Sequence, residues 1–146
     1  MKLGCVTDSF DSETKERNHK SYEHVSIQKI KAVFLDFTGD QEQKPPVFSA
    51  IKIRGERLYK KARRGELNIE LKSRKVLIKK IILIEEAFPL IKFEVECSKG
   101  TYIRSLVNDI GAKLLCGAYL HSLIRTEIGH FKLKNAIHID EIHKSI

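Results

Sequence analysis

Apolar residues recur at helical spacing shortly after residue 25. Polar residues separate them, and the apolar positions are Ile27, Ile30, Phe34 and Phe37. Ser26 is a favourable N-cap, and Gly39 supplies a stop signal. The pattern predicts a structural helix over this stretch.

Strict alternation appears later in the chain and indicates a β-strand. Ile91, Phe93, Val95 and Cys97 alternate with charged residues, which is the period of a half-buried strand. Residues 76–84 are mostly apolar and predict its partner strand. Residues 85–90, which include Pro89, predict the turn of an antiparallel pair.

Weaker signals predict the other elements. The carboxyl-terminal apolar stripe runs from Ile103 to Leu114 and predicts a helix that begins near Thr101 and ends before Gly117. The remaining expectations are a strand over 1–6, an exposed loop over 7–20, a strand over 47–53 after two prolines, a helix over 56–64, a strand over 120–128 and a short helix over 137–142. The order predicts a mixed α/β (α+β) fold with a largely antiparallel sheet and helices packed on it.

Composition limits the class of protein. The chain has 146 residues, of which 42% are hydrophobic and 32% charged, enough for one domain with a core. No apolar run is long enough to span a membrane and no signal-peptide pattern is present, so we expect a cytoplasmic protein without membrane contact. Cys5, Cys97 and Cys116 match no zinc or redox motif, which predicts reduced, mostly buried thiols and no structural disulfide.

The net charge of +8 is concentrated in one segment. Residues 44–64 carry eight basic and one acidic side chain, whereas residues 1–43 carry six and eight, and residues 65–146 carry thirteen and ten. A concentrated basic patch is typical of proteins that bind a polyanion such as nucleic acid. A solvated lysine-rich face would give the same pattern.

The predicted helix over 56–64 would gather cations on one face. Arg57, Lys60, Lys61 and Arg64 fall at helical spacing, while Leu58 and Ala62 would face the core. Such a face could bind a phosphate backbone. It could also serve only to keep the surface soluble.

The junction between the alternating strand and the following helix carries the most specific chemistry. Tyr102 and Arg104 lie two residues apart, so in extended backbone they would share a face and could line one pocket. A tyrosine ring suits a nucleobase, and a guanidinium suits a carboxylate or a phosphate. The alternative is that Tyr102 packs on the core and Arg104 forms a surface ion pair.

The sequence motifs resemble those of the TruB family of tRNA pseudouridine synthases. The run Cys97 to Leu106 fits C-S-K-G-T-Y-I-R-S/T-L, and the block Gln43 to Gly65 fits Q-x-P-P-x-Y-S-A-x-K-x-x-G-x-x-L-Y-x-x-A-R-x-G with Phe48 in place of tyrosine. Further matches are Leu3-Gly4, Thr7-Asp8, Cys116-Gly117-Ala118, Leu123-Ile124-Arg125 and Gly129-His130-Phe131. The resemblance therefore covers nearly the whole chain.

The resemblance implies an isomerase that converts uridine 55 in the T-arm loop of tRNA to pseudouridine, without metal or organic cofactor. An aspartate would attack the flipped nucleoside, Arg104 would orient that carboxylate, and Tyr102 would pack against the base and could take part in the final proton removal. The expected RNA-binding residues are Lys44, Lys52, Arg57, Tyr59, Lys60, Lys61, Arg63, Arg64 and Lys99. The expected partner is the T-arm stem–loop of tRNA.

The aspartate motif of the family, G-x-L-D-P-x-A-x-G, is not found in these 146 residues. Asp8 and Asp11 lack its context, as do Asp36, Asp40 and Asp140, and Asp109 is expected to be a surface or supporting residue. We therefore expect residues 1–146 to be the C-terminal portion of a TruB-like catalytic domain, without the aspartate-bearing N-terminal part and the small RNA-binding domain downstream. Such a chain would be inactive alone, would expose apolar surface, and would have the missing N-terminal half as a partner.

Two other hypotheses use the same sequence. The basic helix could belong to an RNA-binding module with no catalytic role. The six histidines, His19, His24, His121, His130, His138 and His143, could supply a metal site, but their spacings match no common ligand motif.

Overall fold

A five-stranded sheet forms the centre of the molecule. The computed structural model describes residues 1–53, 55–66 and 68–144. The strands of this sheet are β1 (Lys2–Leu3), β2 (Gly39–Gln43), β5 (Arg74–Ala87), β6 (Leu90–Cys97) and β7 (Ala118–Tyr119). Neighbouring strands in the sheet follow the order β2-β5-β6-β1-β7, and every neighbouring pair is antiparallel.

The long hairpin of β5 and β6 confirms the alternating pattern, but its turn is tighter than predicted. Ala87 pairs with Leu90, so only Phe88 and Pro89 lie between the strands. The turn predicted over 85–90 is therefore wrong at both ends. Glu85 and Lys92 are register partners on the two strands, and both side chains are exposed. The strand pairing therefore buries neither charge.

Helix α1 (Ile27–Asp36) is capped as the sequence predicts. The Ser26 hydroxyl accepts a hydrogen bond from the Lys29 amide at 3.2 Å, and Ile30, Val33 and Phe34 are buried. Strand β2, which follows this helix, has no apolar alternation in the sequence that predicts it. Gly39 begins that strand at a φ of +100°, which a glycine adopts at little cost.

Helix α3 (Ile103–Lys113) packs with α1 against the sheet. Tyr102 is extended (φ −92°, ψ 108°) and is the N-cap, so the helix begins two residues later than predicted and Arg104 lies inside it. The core combines both helices with β1, β5, β6 and β7, and its fully buried members include Leu3, Ile30, Ile78, Ile91, Val107, Ile110 and Leu114.

The segment between β2 and β5 differs most from the sequence prediction. The predicted strand over 47–53 is wrong, because backbone hydrogen bonds fold the chain back on itself. The Ser49 amide donates to the Val47 carbonyl at 2.9 Å, and the Tyr59 amide donates to the Ser49 carbonyl at 3.0 Å. Only β3 (Lys52–Ile53) is extended, and it pairs with β4 (Glu56–Arg57). Helix α2 (Leu58–Arg63) is shorter than the predicted helix over 56–64, with Leu58 and Ala62 buried as expected.

The chain after β7 forms little regular structure. The predicted strand over 120–128 is wrong: β8 (Glu127–Ile128) pairs only with β9 (Phe131–Lys132), and 3₁₀ turns follow at Leu133–Asn135 and Ile139–Lys144. The helix predicted over 137–142 is thus a shifted 3₁₀ turn. Apolar side chains in this segment are exposed, including Ile124 at 72% and Phe131 at 67%. Residues 121–126, between the bridge at Leu120 and β8, form no regular element.

The fold class is confirmed: helices pack on a largely antiparallel sheet. The three cysteines are free, and Cys5 and Cys116 are buried. Among the described residues, no helix combines the length and the apolar character that crossing a bilayer requires.

Candidate active site

Arg104 lies in the first turn of α3 and is held by three acceptors. Its Nη1 donates to the Asp11 Oδ2 at 2.9 Å and to the Ser9 carbonyl at 3.4 Å, and its Nη2 donates to the Phe48 carbonyl at 2.7 Å. The side chains of Arg104 and Asp11 are 23% and 22% exposed, so the ion pair is partly screened from water. The guanidinium therefore has a fixed plane between two loops.

Asp11 is the unexpected member of the site. Its Oδ1 accepts from the Ser9 hydroxyl at 2.6 Å and from the Glu13 amide at 2.9 Å, while its carbonyl accepts from the Thr7 hydroxyl at 2.7 Å. Both carboxylate oxygens are thus engaged, which disfavours attack on a substrate and suits a group that orients Arg104. The Thr-Asp-Ser-Phe-Asp-Ser run predicts side-chain-capped turns, but no local signal could connect residue 11 with residue 104.

Tyr102 is positioned by a different set of contacts. The side-chain amide of the buried Gln43 forms two hydrogen bonds with the backbone of Tyr102. The Gln43 Oε1 accepts from the Tyr102 amide at 2.8 Å, and the Gln43 Nε2 donates to the Tyr102 carbonyl at 3.1 Å. The Arg74 guanidinium lies 4.3 Å from the centre of the Tyr102 ring. The condition for a shared extended face is not met, because α3 begins at Ile103 and Arg104 lies inside the helix while Tyr102 is extended.

The loop after β2 connects these two residues to the fold. The Ser105 hydroxyl donates a hydrogen bond to the Lys44 carbonyl at 2.8 Å. Phe48, which is 9% exposed, accepts a hydrogen bond from Arg104 through its carbonyl. Pro46 is fully buried beneath the loop. The block that begins at Gln43 therefore folds against the start of α3, and the two strongest sequence motifs meet in space.

The predicted cationic surface is partly neutralised. Arg64 forms a bidentate pair with Glu56 at 2.6 and 2.9 Å and also contacts Glu66 at 3.0 Å, Lys61 lies 3.8 Å from Glu66, and Arg63 pairs with Glu13 at 2.9 Å. The hydrogen bond from Arg64 is the main cause of a lowered pKa of Glu56. Tyr59 has Arg63 over its ring at 5.6 Å.

The other predicted RNA-binding cations have no such partner. Within the described part of the chain, no carboxylate lies in ion-pair distance of the exposed side chains of Lys44, Lys52, Arg57, Lys60 and Lys99. The single helical face predicted for Arg57, Lys60, Lys61 and Arg64 is wrong, because α2 spans only Leu58–Arg63. The free cations instead lie on a loop, a small hairpin, α2 and the Lys99 turn.

A small group of potential metal ligands lies elsewhere. Cys5, Glu16 and His19 place ligand atoms within 4.8 Å of one another, and His19 is the one histidine of the six that joins such a cluster among the described residues. The Lys2 ammonium contacts the Glu16 Oε1 at 2.7 Å. A divalent cation would have to displace that ammonium, so the cluster is better described as an ion-paired surface group.

Glu16 provides a prediction for acid stability. Hydrogen bonds from Lys2 and from the Tyr119 hydroxyl, at 2.7 and 2.6 Å, lower the pKa of Glu16 to about 2 from an ordinary value near 4.5. Since the folded pKa is depressed, this contribution is complete above about pH 4.5 and is lost as the pH falls towards about 2. Urea unfolding from pH 6 to 2.5 should show that step in the parent and not in Glu16→Gln. Tyr119→Phe, which removes one donor, should show a smaller step, and an unchanged profile in Glu16→Gln would contradict the assignment.

Two protein-family models together match the whole chain. The family model described as "TruB family pseudouridylate synthase (N terminal domain)" matches residues 1–103, and the one described as "tRNA pseudouridylate synthase B C-terminal domain" matches residues 104–146. Proteins named tRNA pseudouridine synthase B are similar: the one from Clostridium tetani is 41% identical over 99% of this chain, and the one from Flavobacterium johnsoniae is 44% identical over 99%.

Each match covers most of this chain but a smaller share of the matched protein. The chain spans 50% of the Clostridium tetani protein and 62% of the Flavobacterium johnsoniae protein. Among solved structures, one titled "Crystal Structure of a Cbf5-Nop10-Gar1 Complex" contains a chain that is similar with a TM-score of 0.64 and 30% identity, over 82% of this chain and 31% of that chain. The matched part of that chain therefore has a similar fold.

Proposed function

The chain belongs to the TruB family of pseudouridine synthases, and from this premise we propose that it supplies part of the active site and RNA-binding surface of a tRNA pseudouridine synthase acting on uridine 55. The observation that carries the proposal is the fixed guanidinium of Arg104, with Asp11 on one side and the Tyr102-bearing junction at the start of the same helix. The proposed substrate is the T-arm stem–loop of tRNA, and the proposed location is the cytoplasm.

Arg104 retains donors for a second carboxylate. A guanidinium has five N–H groups, and the contacts of Arg104 to Asp11, Ser9 and Phe48 use three of them in the described part of the chain. The remaining Nε and Nη2 donors form the fork that fits a carboxylate. We assign that place to the nucleophilic aspartate, and Asp11 to holding the opposite edge of the guanidinium.

The isomerisation needs no oxidant or reductant. The aspartate adds to the nucleoside, the bond between N1 of uracil and C1′ breaks, and a bond between C5 and C1′ replaces it; the bond between the aspartate and the nucleoside then breaks, which restores the free carboxylate. The C5 proton is lost, and N1 takes up a proton. In this scheme Tyr102 supports the uracil ring and stands ready for removal of the C5 proton, and Arg104 keeps the aspartate ionised and oriented.

The nucleophile is proposed to come from a segment equivalent to the part of the relatives that this chain does not match, with residues 1–146 forming the C-terminal portion of the catalytic domain. Two features support this: both carboxylate oxygens of Asp11 are engaged, and apolar residues after β7 are exposed. A surface of this kind is typical of a face that another segment covers.

The test is release of label from C5 of uridine in a T-arm stem–loop RNA. The chain is assayed alone and with a separate polypeptide carrying the G-x-L-D-P segment, and a matched polypeptide with asparagine for that aspartate is the control. Release only with the intact segment supports the proposal. Release by the chain alone would make one of its own aspartates the nucleophile, and binding without release in any mixture would favour the RNA-binding module.

The free cations yield a prediction for RNA affinity. Lys60→Ala should weaken binding of the stem–loop and lower the slope of log affinity against log salt by about 0.7–0.9, the value for one lost phosphate contact. Lys79→Ala is the matched control, because Lys79 is an exposed strand lysine already paired with Glu96 at 2.8 Å. Anisotropy titrations at several salt concentrations measure both. Equal slopes for the two variants would make the exposed face of α2 ordinary solvent surface.

A further inference from the structure

Arg74 is the cation at the site to which the family resemblance assigns no role. It opens β5 and pairs in register with Gln43, the last residue of β2. Gln43 holds the backbone of Tyr102, and Arg74 covers the ring of the same residue at 4.3 Å. Two residues facing each other across adjacent strands therefore position one tyrosine, one through its backbone and one through its ring.

The charge of Arg74 has no anionic partner in the part of the chain that the structure describes. No carboxylate lies in ion-pair distance of its guanidinium, although Arg17, Arg63, Arg64 and Arg104 each have one. Its Nε is buried and has no hydrogen-bond partner. A buried donor without an acceptor costs free energy unless a ligand satisfies it.

Arg74 also lies beside a hydrogen-bonded turn that carries a second cation. Its Nη1 approaches the turn at Gly100, where an added Cβ would lie 3.8 Å away, and Gly100 has a φ of +84°. The turn is rigid, because the Thr101 hydroxyl donates to the Ser98 carbonyl at 2.8 Å and the Leu77 amide donates to the Ser98 hydroxyl at 3.0 Å. The exposed Lys99 lies in the same turn and adds a second unpaired cation.

We propose that Arg74 forms a phosphate-binding site beside Tyr102, in which its guanidinium stacks on the ring and its free N–H groups bind a phosphodiester of the RNA strand that presents the target base. This inference rests on the proposed function. A planar guanidinium can stack and still donate in its own plane, whereas an ammonium cannot do both with the same geometry. One side chain thus couples the position of the RNA backbone to the position of the ring.

The experiment measures affinity for the T-arm stem–loop against salt for Arg74→Met, Arg74→Lys and the control Lys75→Met. Lys75 is the next cation on β5, is exposed and points to the opposite face of the sheet. Arg74→Met should bind about tenfold more weakly at low salt, with a slope lower by about 0.7–0.9. Arg74→Lys should keep the slope, and Lys75→Met should match the parent in affinity.

A second arm tests the coupling to the ring. The loss caused by Arg74→Met is measured again in a Tyr102→Ala background, and it should be smaller there because the stacking partner is gone. Thermal unfolding of each variant reports structural damage. A lowered melting temperature with an unchanged salt slope, or equal losses in both backgrounds, would overturn the inference.

The outcomes separate this inference from the proposed function. If the parent chain binds the stem–loop and Arg74→Met binds it identically, only the phosphate site is rejected. If the parent binds no RNA at any salt concentration, the proposed function is rejected together with the phosphate contact.

Discussion

Arg104→Lys is expected to reduce C5 label release by about 10²–10³-fold in the complemented enzyme, which is this chain mixed with the polypeptide that carries the G-x-L-D-P segment. A loss of this size is typical of removing a preorganised donor set. The guanidinium donates to the Asp11 carboxylate, the Phe48 carbonyl and the Ser9 carbonyl, and a lysine ammonium at one point cannot reach all three. The fork left for a second carboxylate would also disappear. Stem–loop affinity should stay within about twofold, since the charge is retained.

Asp11→Asn is the companion variant for Arg104. If Asp11 only holds Arg104, the amide should lower turnover by less than Arg104→Lys does, because an oxygen acceptor for Nη1 remains. Single-turnover rates and anisotropy titrations distinguish chemistry from binding. Full activity in Arg104→Lys would remove this residue from the site, and complete loss in Asp11→Asn with an unaffected Arg104→Lys would point to Asp11 as the reacting carboxylate.

The elements that the sequence predicts correctly are those whose stability is local. The Ser26 cap and the helical spacing that follows it depend on residues within four positions, and α1 was placed correctly. The alternation from Ile91 to Cys97 was enough for β6, because one face of that strand packs on the core. Burial of Leu58 and Ala62 was also confirmed, since their spacing is unchanged in the shorter α2.

The parts that sequence reasoning missed depend on contacts between distant residues. The bond between Arg104 and Asp11 joins positions 93 apart, and the bonds between Gln43 and Tyr102 join positions 59 apart. A strand was predicted over 120–128, but only Glu127–Ile128 forms one, because strand formation depends on the neighbours against which a segment can pack. The motifs therefore identified the two residues at the junction, and the structure supplied the groups that hold them.

The distribution of charge was also only partly predictable from the sequence. The excess of cations in residues 44–64 was visible in the sequence. The structure brings Glu13 and Glu66, from outside that segment, onto Arg63, Arg64 and Lys61. Part of the patch is thereby committed to intramolecular ion pairs, and fewer unpaired cations remain for the proposed RNA-binding surface. A count of charges would therefore overestimate the number of phosphate contacts that the proposed surface makes.

Gly111→Ala is expected to destabilise the fold by about 3 kcal/mol or more, although alanine is about 1 kcal/mol better than glycine in an ordinary helix. Gly111 lies in α3 against β7, its carbonyl accepts from the Gly117 amide at 3.0 Å, and a methyl group there would overlap the Ala118 backbone nitrogen and come within 2.6 Å of the Ala118 Cβ. Backbone atoms cannot move aside as a flexible side chain can, so the helix itself must shift.

That shift would reach the site, because the same helix carries Arg104 in its first turn. We therefore expect Gly111→Ala to lower the melting temperature by roughly 10 °C and to lose label release in the complemented enzyme. Ala112→Gly, at the exposed neighbouring position, is the matched control and should cost only about 1 kcal/mol without loss of activity. Calorimetry and the C5 assay test both. A Gly111→Ala variant at least as stable as the parent would show that α3 and β7 do not approach this closely in solution.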